Sequence, residues 1–216
     1  MAKNEVKTDT LELKPIVKRD AIVTIVGDTD LVLNKMNDPT AKALTDQRKD
    51  KAKSLEKPNE WECIITAMHW LKGKPTDFSE KGLYNALKEN APCLTGFGLK
   101  KSFGDSVVRN EIATYATKFM ASVNIIGEGD NLVPIKFTEY HLDEKLMSPK
   151  KGAPVLVRLS RFSGWSAEIH IQYVENVYSI EQIVNIINLA GFGIGIGSGR
   201  SSGYGRYHIA DVKSLG

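Results

Sequence analysis

The sequence predicts a single α+β domain with a projecting β-hairpin and a C-terminal glycine-rich loop. Three stretches support this. Residues 21–26, AIVTIV, are an almost unbroken β-branched run closed by Gly27 and Asp28, which suits a central strand covered on both faces. Ile169, Ile171 and Tyr173 alternate with Glu168, His170 and Gln172, the period of a strand with one buried and one wet face. Ser179-Ile-Glu-Gln182 is a capping box, and Ile180, Ile183, Val184, Ile187 and Leu189 then lay an apolar stripe at helical spacing.

Composition bounds the rest. A chain of 216 residues with 42% hydrophobic content can bury a sizeable core. The net charge of +3 is compatible with polyanion binding only where basic residues cluster. Cys63 and Cys93 form no CxxC and have no paired histidine spacing, so neither a metal nor another cofactor is expected. The start, MAKNEVK, lacks an apolar signal region, and no run approaches the roughly 18 apolar residues of a membrane span. A cytoplasmic protein with reduced thiols and no membrane contact is expected.

In chain order, the charged residues 1–20 read as an arm or edge, and 21–26 as the first strand. Residues 38–60 form a charged insertion, mobile or a solvated helix, because almost no large apolar residue stands between Lys42 and Asn59. EWECIITAMHWL reads as a strand, with Cys63, Ile65 and Ala67 opposite Ile64, Thr66 and Met68. Ser79 caps a helix over 79–90 that Pro92 ends, and GLKKSFGDSVVRNEIATYA holds a second short helix. Residues 119–137 read as a projecting hairpin around a GEGDN tip. A polar stretch leads to Pro154, and 155–174 supplies a pair of strands around Ser163-Gly164. The helix over 180–190 stops at Gly191, and 206–212 is the last strand.

Between helix and strand, seven glycines fall at 191, 193, 195, 197, 199, 203 and 205. Glycine lets φ turn positive and lets a ligand reach bare amides, which are good phosphate partners. The familiar nucleotide motifs are absent: no GxxxxGK[ST] occurs, the glycine spacing never gives GxGxxG, and the loop follows a helix rather than a strand. What remains is a backbone-exposing loop with Arg200 and Arg206 as cations and Tyr204 and Tyr207 as stacking surfaces. The plainer alternative is that Phe192, Ile194 and Ile196 form a strand beneath a helix and GSGRSSGYG is a flexible turn.

GIGSGRSSGYGRYHI, after a helix and before a last strand, resembles the C-terminal glycine-rich loop of the RAMP superfamily. These RNA-recognition-motif-like proteins form backbone subunits and some nucleases of CRISPR systems. The segment at 185–209 also resembles the tails of phage-encoded proteins of similar length, for which host cytoplasm would be the location. The resemblance implies a ferredoxin-like βαββαβ core: strand 21–26, helix 79–90, middle strands from 119–137 and 155–174, helix 180–190 and strand 206–212. It also implies a hairpin and a basic insertion that grip nucleic acid between neighbouring subunits. The first strand carries no aromatic stacking motif.

The candidate binding residues are Gly195, Gly197, Ser198, Gly199, Arg200, Ser201, Ser202, Gly203, Tyr204 and Arg206, joined by Lys100, Lys101, Arg158, Arg161 and Phe162. Backbone-directed binding needs several such cations along one groove, and Phe162 could stack on bases. Trp165 reads as core. Arg48, Lys49, Lys51 and Lys53 are diluted by Asp46, Asp50 and Glu56 and read as ordinary surface. Of the four histidines, His69 reads as partly buried and His208 would serve a nuclease, but no paired acid and base are visible and no catalytic residue is assigned. Glu139, His141, Asp143 and Glu144 read as solvated surface rather than a metal site. The resulting expectation is a non-catalytic binder of single-stranded RNA or DNA that assembles head-to-tail as a homo-oligomer or filament. Three alternatives stay open: an endoribonuclease of the same fold, a protein that sequesters a nucleotide signal, and an inhibitor that mimics a CRISPR backbone subunit within a phage or host protein complex.

Overall fold

The computed structural model describes residues 15–49, 58–147 and 155–215. The first strand, β1 (Lys18–Gly27), buries Ala21, Val23 and Ile25 completely, while Ile22 and Thr24 are half-buried. It is a strand with one covered face, not two. A three-residue strand, β2 (Leu31–Leu33), follows, and then α1 (Asp38–Lys49), which buries no residue. The charged stretch is thus a solvated helix as far as Lys49, and its remainder, with Lys51 and Lys53, lies outside the described residues.

The run expected as a strand after Asn59 is instead a helix, α2 (Glu60–Thr66), leading into a two-residue strand, β3 (His69–Trp70). The reason is local: Asn59 Oδ1 accepts from the amides of Trp61 (2.9 Å) and Glu62 (3.3 Å), an N-cap that an apolar run alone does not reveal. Its buried residues, Ile64, Ile65 and Thr66, are consecutive rather than alternate. Helix α3 (Glu80–Glu89) starts at the expected cap, Ser79, and β4 (Pro92–Thr95) leads into α4 (Gly96–Arg109), capped by Thr95.

Residues 119–137 do not project. They comprise the end of α5 (Thr117–Ser122), β5 (Val123–Ile126) and β6 (Leu132–Lys136), and both strands pair with a central strand instead of with each other along their length. The long two-stranded hairpin is formed by β7 (Glu139–Met147) and β8 (Val155–Ser163), paired from Glu139↔Ser163 to Met147↔Val155. Half of it comes from the stretch that reads as polar linker, because β7 alternates charged residues with Tyr140 and Leu142 on a narrow sheet. Gly164, with φ +57°, then turns the chain into β9 (Ser166–Val174).

Helix α6 (Ile180–Gly193) has the expected capping box and ends two residues beyond Gly191. Gly191 is a contact glycine: a Cβ there would overlap the Tyr207 carbonyl of the last strand, β10 (Tyr207–Ser214). The large antiparallel sheet runs β10-β1-β9-β6-β4-β3, with β5 also on β9, and a second sheet runs β2-β8-β7. Helices α4 and α6 pack on each other, with Phe103, Val107, Ile183 and Ile187 fully buried over Val23, Ile169 and Ile171. β8 and β9, consecutive in sequence, therefore belong to different sheets, and the turn between them is stitched to β1 by Gly27 N to Trp165 O at 2.8 Å.

Candidate nucleic-acid interface

Between α6 and β10 the chain reverses tightly. Gly195, Gly197, Gly199, Gly203 and Gly205 all have φ between +70° and +87°, a region costly for any residue with a Cβ. Arg200–Ser202 form one 3-10 turn at the tip. Residues 28–34 clasp this loop from β1's far end. Ser198 N donates to Val32 O (2.8 Å), Ser198 Oγ to Asn34 O (3.1 Å) and Gly205 N to Asp30 O (2.8 Å). Thr29 Oγ1 accepts from Arg206 N (3.0 Å) and donates to Gly203 O (2.8 Å).

The loop is neither a flexible turn nor wholly bare. Amides of Ile196, Ser198, Gly203, Gly205 and Arg206 are bonded internally, whereas those of Gly197, Gly199, Arg200 and Ser201 donate to no described residue. The bonded set faces residues 28–34 and the loop itself; of the unbonded set, Gly199, Arg200 and Ser201 are at the tip, and Gly197 lies against β2.

Beneath the tip lies a cleft of about 220 Å³ between the loop, the end of β2, β3, and the start of α4. Its rim carries Lys35, Lys101 and Arg200, and none of its lining residues is a carboxylate. Lys101 and Arg200 have no ion-pair partner among the described residues, and Lys35 has only Asp38, 3.8 Å away. Leu33, Met68, Leu94, Leu99 and Ile196 form an apolar floor. His69 and Cys93 flank it from adjacent strands. Burial, and then Lys35, lowers the His69 pKa, and burial pushes the Cys93 thiol up to about 12.

A depressed histidine pKa means the unfolded chain takes up the proton first. Stability from His69 is therefore full above about pH 6.5 and is lost as pH falls from there through its folded value. Thermal melts across pH 7.5 to 5 should show this loss, and His69→Phe should reduce it.

Other expected site residues are placed elsewhere. Arg206 does not line the cleft, and its Nη1 is buried. Tyr204 packs under the hairpin: Lys145 Nζ donates to its hydroxyl (3.0 Å) and sits 4.6 Å from the ring centroid. Lys100 Nζ donates to Asn124 Oδ1 at 2.8 Å, away from the cleft. Phe162 has no exposed surface and packs edge-on against Phe137, so it cannot stack on a base. Trp165 is core, as expected.

Arg158 and Arg161 are neutralised. Arg158 pairs with Glu144 (2.6 Å) and with Glu60. Arg161 holds both oxygens of Asp143, at 2.6 and 3.0 Å, and also Asp30, tying the hairpin to the segment that clasps the loop. These bonds raise the Arg161 pKa and lower that of Asp143. Arg161→Ala would leave two partly buried carboxylates facing each other. It should cost about 2 kcal/mol, discounted for partial exposure, or about 4 to 8 °C in melting temperature. Adding Asp143→Asn should restore part of the loss.

His208 Nδ1 lies 2.6 Å from Asp28 Oδ1, and His170 Nε2 lies 2.8 Å from Asp20 Oδ1 on the open face of the large sheet. A broader cleft of about 580 Å³ on that face is lined by Glu128 and Glu168 as well as Lys136 and His170. Its mixed charge makes it the poorer polyanion site. Sequence reasoning missed Lys35 and His69 as cleft residues, since each meets the loop only through folding.

No protein-family model matches the chain, and no curated protein matches it by sequence. The fold has solved counterparts. A chain from the cryo-EM structure of the type III-B Cmr-beta bound to cognate target RNA superposes over 91% of this chain with a TM-score of 0.51 and 13% identity. This chain spans 60% of that one. Cmr6 from Pyrococcus furiosus matches over 90% of this chain and 100% of its own, at 11% identity and a TM-score of 0.33, too low to carry an argument. The likeness to the first is one of fold: mixed α and β with antiparallel sheets.

Proposed function

We propose that this chain is a RAMP-like, non-catalytic binder of single-stranded nucleic acid that holds the phosphate backbone in the cleft under its glycine-rich loop. One observation carries the reading: Lys35, Lys101 and Arg200, from three distant parts of the sequence, rim one cleft that contains no carboxylate. Three unbonded amides at the loop tip, those of Gly199, Arg200 and Ser201, add backbone donors. The strand order β10-β1-β9-β5, with α4 and α6 over one face, supports a ferredoxin-like core. A counterpart of this fold comes from a Cmr-beta structure that holds target RNA, which favours RNA as the ligand and a Cmr-like assembly as the setting.

Head-to-tail association along the strand is the second part of the reading. β7 and β10 each end a described sheet with an unpaired edge, so two different surfaces are available on one chain. Gel-shift and size-exclusion series with single-stranded RNA, single-stranded DNA and duplex, at about 50 and about 200 mM salt, test both parts. Binding should favour single strands and weaken steeply with salt, and the bound species should grow with strand length. Unchanged mobility with every nucleic acid at low salt would refute the proposal.

A further inference from the structure

The cleft is more than a cationic surface. Phosphate binding requires only the rim, yet the rim stands over a pocket floored by Leu33, Met68, Leu94, Leu99 and Ile196. Apolar side chains contribute nothing to holding a phosphate, and an apolar floor below cations gives a ligand with an anionic end and a flat, weakly polar end two matched surfaces. Size narrows the class. The volume, about 220 Å³, exceeds the roughly 150 Å³ that admits a benzene ring and falls short of the roughly 300 Å³ at which sites for whole drug-sized molecules begin. One aromatic ring system fits, and a dinucleotide does not.

The polar groups at the edge suit such a ring. His69 is half-buried and its imidazole has no hydrogen-bond partner among the described residues, which leaves the ring to pair with something in the cleft. Asn34 brings a side-chain amide that offers donor and acceptor together, and its backbone carbonyl accepts from Ser198 Oγ at 3.1 Å, which fixes the residue beside the loop.

We infer that the cleft takes one nucleobase out of the bound strand, seating it on the apolar floor against His69 and Asn34 while the adjoining phosphates rest on Lys101 and Arg200. This rests on the nucleic-acid reading above and adds to it: the strand is gripped by one base as well as by its backbone, so binding discriminates between a strand with bases and one without.

The test compares wild-type affinity for an oligouridylate of roughly 12 nucleotides with that for an abasic ribose-phosphate strand of equal length and charge, and repeats the pair with the deoxy counterparts. Wild type should bind the base-bearing strand at least about fivefold more tightly, which removing roughly 40 Å² of apolar surface from water supplies. Ala67→Phe, which fills the pocket and leaves the three cations, should bring that ratio close to one. A single 2-aminopurine in the strand should change its fluorescence on binding. Equal wild-type affinity for both strands would overturn the base pocket and leave backbone binding standing. Binding of neither would remove the nucleic-acid reading and the pocket with it. The wild-type ratio decides the matter even where Ala67→Phe does not fold.

Discussion

Gly205→Ala is expected to lower the melting temperature by about 6 to 12 °C, corresponding to about 3 kcal/mol for a chain of this size. Two costs combine. Gly205 has φ +70°, where alanine is strained by about 1 kcal/mol. A Cβ there would also collide with the backbone carbonyl of Ile196, which receives no slack from a side-chain rotation. Overpacking against rigid backbone adds about 2 kcal/mol. Gly203→Ala separates the two costs, because Gly203 has φ +87° but open space where its Cβ would be. It should lose only about 1 kcal/mol. Differential scanning calorimetry on both variants checks the pair, and equal losses would mean that the loop is not held against itself as described.

Lys101→Ala combined with Arg200→Ala should weaken binding of a single strand by about 100-fold or more at low salt. Each removes a charge-assisted contact worth about 1.5 kcal/mol or more. The slope of log affinity against log salt should become shallower by about 1.4, since each phosphate contact to a single strand contributes about 0.7. Arg158→Ala is the control: its guanidinium is already engaged by Glu144 and Glu60. It should leave the slope as it was. A double variant with an unaltered salt slope would place the phosphate path elsewhere on the molecule.

Legibility followed the range of the interactions. The helix after Ser179 and the strand at 21–26 were readable because a cap and a β-branched run act within a few residues. The loop was readable as a place needing glycine, since positive φ is written directly into residue type. What escaped was decided by partners far away in sequence. Arg161 and Arg158 look like free cations until β7 supplies Asp143 and Glu144. Phe162 beside two arginines looks like a stacking ring until Phe137 and Tyr140 close over it. The strand reading of residues 60–71 failed over Glu60–Thr66 for the opposite reason. Its apolar run satisfies period two and helical burial alike, and a single side chain, Asn59, decides between them.

The clasp on the loop joins positions such as Thr29 and Arg206, 177 residues apart. Contacts of such separation close late, after local helices and hairpins. On the ribosome, the N-terminal half of the clasp waits for the final strand to emerge before the loop can be held at all. A nascent chain, or one clipped before Arg206, would therefore leave the loop unclasped, and on the proposed reading would have no cleft in which to hold a strand.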